Sequence, residues 1–257
     1  YFILECMSKA GKIPENPVMV KTSVTTELFR DIGESYGVEV LGDLLVGFKF
    51  IGDRIENLPS DKNFIFAAEE SVGYLFGTAY RDKGAETPAV IAAEMAAYCK
   101  DNDTTPGEML EAIYEKFGFY AERLYYKLIE GFGAFDQMNL AMKKLREELP
   151  KEIAGRKVLK ILDRMTGELR DAQTGELIET RAWDKGDMIS FFFTEDERTV
   201  IHARPAGTEP KMKYYTNVKG RLQDKTKEEI MKEAEVLEKS IAATFEEILS
   251  TIKVDVF

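Results

Sequence analysis

The residues predict an α/β three-layer domain with a mainly parallel or mixed sheet, followed by an α+β domain with an antiparallel sheet and packed helices. Two observations predict it. Over residues 17–117, apolar strand-like runs alternate with helical patterns, and a βαβαβα order builds a parallel layer with helices on its faces. From Lys157 the chain changes to short strands punctuated by Thr-Gly-Glu-Leu at 166–169 and again at 174–177, then closes on one amphipathic helix. Strands first and a helix last make an antiparallel α+β domain. The boundary falls near Tyr120, giving domains of 1–121 and 122–257.

Each element has a local reason. Residues 1–10 carry Phe2, Ile3, Cys6, Met7 and Ala10 at helical spacing, with Gly11 as a stop. Residues 17–22 form a short buried strand and 25–36 a helix with threonines at its start, closed by Gly37. A second strand spans 38–41, and 47–57 repeat apolar residues at helical spacing up to Pro59. Phe64, Ile65 and Phe66 mark a central parallel strand over 63–68. After a loop, Thr87 as cap and Pro88 as first residue open a helix to Lys100, and 108–117 form another. Residues 119–129 mix aromatics and charges with no clear period. A helix over 135–149 ends at Pro150, and the two Thr-Gly-Glu-Leu runs are hairpin turns, since a repeat architecture needs a longer period. Strands over 189–193, 199–203 and 211–219 precede the helix of 225–249, whose Ile230, Ala234, Leu237, Ile241 and Phe245 face inward. Trp183, before Asp184-Lys185-Gly186-Asp187, reads as a strand-end aromatic.

Composition narrows the function. In 257 residues, 44% are hydrophobic and 32% charged, with no apolar run near the ~20 residues of a membrane span. Cys6 and Cys99 are too few for a disulfide framework and lack metal-ligand spacing, which fits reduced thiols in a cytoplasmic protein. The net charge of −11, from 46 acidic and 35 basic residues, argues against nucleic acid and anionic membranes as partners. A local cluster of Arg204, Lys211 and Lys213 therefore stands out.

That cluster flanks the turn Arg204-Pro205-Ala206-Gly207-Thr208-Glu209-Pro210 between the last two strands. Pro205 fixes φ and Gly207 permits φ > 0, so the expected turn aims successive N–H groups at one point, where an anion can sit. Arg204 adds a guanidinium that can take two phosphate oxygens, and Thr208 a hydroxyl. An ordinary Pro-Gly hairpin with a solvated arginine fits the spacing equally well. The loop after the central strand, Glu69-Glu70-Ser71, followed by Arg81-Asp82-Lys83, lies where ligands sit in such sheets. Its bland alternative is a polar loop with a helix cap. On spacing alone Lys21 reads as a strand-end surface charge, Phe48 as a core aromatic, and His202, the single histidine, as a satisfied structural one.

Resemblance separates these readings. Arg204-Pro205-Ala206-Gly207-Thr208-Glu209-Pro210-Lys211 resembles the phosphate-binding loop in the last domain of the alpha-D-phosphohexomutases, the phosphoglucomutase and phosphomannomutase superfamily, with Ala206 where the family has serine. Phe66-Ala67-Ala68-Glu69-Glu70-Ser71 is similar to the family's sugar-binding loop, and Arg81-Asp82-Lys83 to the Arg-Glu/Asp-Lys-Asp of its glucose-handling branch, with Gly84 for the final Asp. Val20-Lys21-Thr22-Ser23-Val24-Thr25-Thr26 and Gly47-Phe48-Lys49-Phe50-Ile51-Gly52 resemble two further motifs, the latter with Val46 where threonine is usual.

The resemblance implies that the chain corresponds to the third and fourth of the family's four domains, the last of which packs helices on a four-stranded sheet. It implies phosphoryl exchange between the 1- and 6-positions of a hexose through an enzyme phosphoserine and a hexose bisphosphate, with Mg2+ as cofactor in the parent enzyme. By residue it implies substrate contacts from Gly47, Glu69, Ser71, Arg81, Lys83, Arg204, Ala206, Gly207, Thr208 and Lys211, and Lys21 as a candidate for proton transfer or charge stabilisation. The Ser-His-Asn run and Asp-x-Asp-x-Asp loop that carry the family's nucleophile and metal do not occur in these residues. The opening helix has no N-cap and no initiating Met, as in a chain cut upstream, so this chain alone is expected to be inactive. A non-catalytic phosphosugar-binding module is the rival reading. The Glu-Glu-Ser and Arg-Asp-Lys spellings lean toward phosphoglucomutase or pentose-phosphate relatives.

Overall fold

The computed structural model describes residues 1–181 and 184–252; Trp183 lies outside them. The chain divides into two compact units, Tyr1–Gly118 and the remainder from Phe119. No helix among the described residues is long and apolar enough to cross a membrane.

The first unit runs α1(Phe2–Lys9), β1(Pro17–Thr22), α2(Leu28–Ser35), β2(Glu39–Leu44), α3(Phe48–Glu56), β3(Asn63–Glu69), β4(Gly73–Phe76), α4(Glu86–Asp101) and α5(Pro106–Phe117). Its sheet has the order β2-β1-β3-β4, with β1 parallel to both β2 and β3. Side chains of a strand alternate between faces, and each face of β1 meets a different core. Val18 and Val20 pack with Phe48, Ile51 and Ile55 of α3. Met19 packs with Leu4 of α1, Ile32 of α2 and Ile113 of α5. Burial on both faces is why β1 reads as a continuous apolar run.

Two local expectations change. The stretch beginning at Gly73, expected as loop, is β4, which pairs antiparallel with β3 and turns back after only residues 70–72. Thr87 does not cap α4, which starts two residues earlier, at Glu86 after Ala85; its hydroxyl instead lies 3.0 Å from that of Tyr80. The capping residue of this region is Thr105, whose side chain and that of Glu108 close both ends of a capping box on α5.

The second unit comprises β5(Phe119–Leu128), α6(Ala134–Glu147), β6(Glu152–Ile153), β7(Arg156–Lys157), β8(Lys160–Asp163), β9(Glu168–Asp171), β10(Leu177–Thr180), β11(Ile189–Phe192), β12(Val200–Pro205), β13(Lys211–Gly220) and α7(Lys227–Ser250). Its main sheet has seven strands in the order β10-β9-β8-β11-β12-β13-β5, not the four that the resemblance implies. The two Thr-Gly-Glu-Leu turns do form hairpins, and they add β9 and β10 outside β8. α6 and α7 cover one face, where Met138, Met142, Leu145, Ile230, Ile241 and Phe245 join a single core.

β5 has no apolar period because its alternation is inverted. Glu122, Leu124, Tyr126 and Leu128 are exposed, while the other face carries Arg123 and Lys127, which pair with Glu238 and Glu246 of α7 at 3.1 and 2.9 Å. A strand with ion-paired cations toward its helix and leucines toward water gives no inside-outside signal.

Candidate functional site

In the first unit, parallel strands bring three chain ends to one edge. Thr22 is the partner of Leu44, and Lys21 of Ala68, so β1, β2 and β3 all finish there. Lys21 is fully buried. Its ammonium donates to Glu27 Oε1 at 2.6 Å, to the Thr25 carbonyl at 2.8 Å and to the Thr22 carbonyl at 3.3 Å, which engages all three of its protons. Arg30 completes the cluster, donating to Glu27 Oε2 at 2.9 Å and to the Val40 carbonyl at 2.8 Å. Burial opposes the charge on Glu27, but Lys21 and Arg30 overcome it and hold the carboxyl down to about 2. Gly42 makes room: a Cβ there would lie 2.2 Å from an Arg30 nitrogen and 2.9 Å from Lys21 Cε.

At the end of β3 the carboxylate of Glu69 is 4% exposed. Oε1 accepts from Lys83 Nζ at 2.7 Å, and Lys83 also donates to the Ser71 carbonyl at 3.1 Å. Oε2 is buried with no hydrogen-bond partner. A buried carboxylate oxygen left unpaired costs free energy unless something supplies a donor. Gly73 opposite Glu69 is required for this arrangement, because a Cβ would stand 2.5 Å from Glu69 Cγ and 3.0 Å from Lys83 Cδ. Ser71 sits exposed at the tip of the hairpin. Desolvation of its carboxyl pushes Glu70 above the ordinary carboxylate value although the residue as a whole is exposed, with the Thr25 hydroxyl and the Lys21 charge pulling the other way.

The structure thus brings Glu69, Ser71 and Lys83 together. Arg81 takes another direction, pairing with Glu56 of α3 at 2.8 Å and donating to the Thr78 carbonyl at 2.7 Å. Gly47, at φ +133, is the residue before α3, on the loop that follows β2.

In the second unit, β12 and β13 flank the turn of residues 206–210. Ala206 N donates to the Lys211 carbonyl at 2.8 Å, and Ala206 itself is buried. The expectation of positive φ at Gly207 is not met: the turn is made without it, and Gly207 is exposed with nothing within 4 Å of where a Cβ would be. What glycine provides here is open space. Thr208 is exposed beside it. Lys211 is engaged locally, pairing with Glu209 at 2.9 Å and lying 4.4 Å over the Tyr126 ring.

Lys213 is the residue the sequence did not single out as a contact. It stands directly opposite Arg204 in the β12–β13 ladder. Like charges opposite one another in a sheet repel, and among the described residues neither has a salt-bridge partner. An anion placed between them would relieve the repulsion. Period two was the available signal, since Lys211 and Lys213 share a strand face. His202 is 6% exposed and its Nδ1 lies 2.7 Å from Ser190 Oγ, as a structural histidine would.

Comparison with known proteins gives three results. Residues 1–117 match the family described as Phosphoglucomutase/phosphomannomutase, alpha/beta/alpha domain III. Phosphoglucomutase of Staphylococcus saprophyticus is 38% identical over 199 residues, covering 77% of this chain and 35% of that protein. Phosphoglucomutase of Staphylococcus haemolyticus is 32% identical over 216 residues, covering 84% and 38%. The chain therefore spans little more than a third of the length of these curated relatives. A crystal structure of the exocytosis-sensitive phosphoprotein pp63/parafusin, a phosphoglucomutase from Paramecium, in an open form, has the same fold: TM-score 0.61 at 16% identity, covering 97% of this chain and 40% of that one.

Proposed function

The chain belongs to the phosphohexomutase superfamily, as a C-terminal part of it, and from that membership we propose that it supplies the sugar- and phosphate-holding loops of an enzyme that interconverts hexose 1-phosphate and hexose 6-phosphate. The observation that carries this reading is Glu69: one carboxylate oxygen is pinned by Lys83 and the other is buried without a donor. Two neighbouring hydroxyls of a sugar are donors of the right kind. Ser71 at the hairpin tip adds a further polar contact. In the second unit, Arg204, Lys213, Thr208 and the open backbone at Gly207 take the phosphate that is not reacting. Ala206 contributes no hydroxyl, which removes one neutral hydrogen bond of ~0.5–1.5 kcal/mol and leaves the charge-assisted ones at ~1.5–3.

Phosphoryl transfer is mainly positioning and charge stabilisation, and this chain's residues serve both. Of the two roles open to Lys21, charge stabilisation fits better than proton transfer, because its three protons are already engaged. The phosphoserine and the bisphosphate intermediate belong to the complete enzyme. Magnesium neutralises developing charge when bound; among the described residues no group of three or more His, Cys, Asp or Glu side chains could hold a metal ion.

Glu69→Gln tests the reading by calorimetric titration. It should weaken glucose 1-phosphate and glucose 6-phosphate much more than inorganic phosphate. Equal loss for both kinds of ligand would make Glu69 structural. The unsubstituted chain, given glucose 1-phosphate, magnesium and a bisphosphate primer, is expected to bind the sugar phosphate without turnover.

A further inference from the structure

A second loop lies beside the turn of residues 206–210, and it holds an aromatic ring out in water. β5 ends opposite the turn, Leu128 pairing with Lys211, and the next amide, Ile129, donates to the Pro210 carbonyl at 2.8 Å. Residues 130–133 then lead into α6. Gly131 at φ +101 and Gly133 at φ +72 are both in the left-handed region, which residues with a Cβ seldom enter. Phe132 between them is 76% exposed, and Leu128 and Phe135 on either side are 45% and 46% exposed. Gln137 Nε2 donates to the Phe132 carbonyl at 3.4 Å.

An isolated exposed apolar residue is common on any protein. Here, however, the backbone around the ring is specified by two glycines and a long-range hydrogen bond, all on the border of an anion-binding turn. Three residues of chain separate Phe132 from Ile129, so their Cα atoms are at most about 11 Å apart. The loop that carries the ring is therefore tied to the end of the turn through the Ile129–Pro210 hydrogen bond.

We infer that Phe132 is a contact residue for the ring of a sugar phosphate, offering its face to the apolar C–H surface of the hexose while the turn holds the phosphate. This rests on the phosphate assignment made above for Arg204, Gly207 and Thr208. Small-molecule sites combine aromatic surface with a few polar groups that fix orientation. An enzyme that accepts both the 1- and the 6-phosphate must receive the same ring in two orientations. Groups that read hydroxyls are particular about which edge they meet. An aromatic face makes no such distinction, and it supplies affinity that survives the turning of the sugar.

Calorimetric titration of the whole chain with inorganic phosphate and with glucose 6-phosphate separates the possibilities, with thermal melting as the check on folding. Phe132→Ala should weaken glucose 6-phosphate about 2- to 10-fold, the size of an aromatic contact, and leave inorganic phosphate unchanged. Phe132→Tyr, which keeps the ring, should restore the sugar phosphate. Unchanged glucose 6-phosphate binding in Phe132→Ala, or equal weakening of both ligands, would overturn the inference while leaving the phosphate turn in place. A wild-type chain that binds neither ligand would overturn the assignment of the turn and this inference with it.

Discussion

Glu27 is the side chain on which the interior of the first unit depends most. It lies between a lysine with no exposed surface and an arginine whose other contact is the Val40 carbonyl. Removing one partner of a buried pair leaves a bare charge, at a cost of ~3–5 kcal/mol. Glu27→Gln should therefore lower the unfolding free energy read from a denaturant titration by that order, because Lys21 and Arg30 would lose their buried counterion. The pH dependence follows from the same carboxyl. Its folded-state value is depressed to about 2, so its contribution is full above the ordinary glutamate range and is lost as the pH falls through that range toward 2. Stability curves of wild type and Glu27→Gln should converge there. At this scale the sequence was legible only in part. Lys21 and Glu69 were readable from motif spelling, and Lys213 only as a member of a basic cluster, whereas Glu27 and Arg30 were not, because what makes these matter is a burial and, for Lys213, a cross-strand register with Arg204 that no local window contains.

Between elements, the close approach to backbone that bears on the site is α3 against the loop carrying Arg81 and Lys83. A Cβ on Gly52 would come within 2.3 Å of the Arg81 carbonyl oxygen, and backbone cannot yield as a flexible side chain can. Gly52→Ala should cost ~1–3 kcal/mol by overpacking and pull Lys83 away from Glu69. Gly207→Ala, where a Cβ meets nothing, should melt as wild type does. Helices and parallel strands were legible from apolar spacing because each buries one face or both. β4 was not, since four residues carry too few alternations to be told from a loop. β5 was missed for the opposite reason: ten residues alternate cleanly, but the charges point toward the helix and the leucines toward solvent.

As a whole molecule, the protein is two units with separate cores, and the fold class of each was readable because element order alone decides it. The size of the second sheet was not, since the turns that enlarge it look like any surface hairpins. One feature of that sheet governs how it forms. β5 is the first element of its unit, yet among the described residues its only strand neighbour is β13, joined through ten residue pairs from Lys211↔Leu128 to Gly220↔Phe119. About eighty residues of chain, 129–210, must be looped between the two before the first of those pairs rewards the closure. Sheets dominated by such distant pairings fold slowly, in milliseconds to seconds. The β5 amides bonded to β13 should accordingly exchange with deuterium only when the entire second unit opens, at the same free energy as the α7 core. Pro210 and Ile129, joined across the end of this ladder, then meet late in folding. The turn proposed to hold phosphate gains its neighbouring loop only in chains that have completed the sheet, so a half-folded chain would lack the finished form of that proposed site.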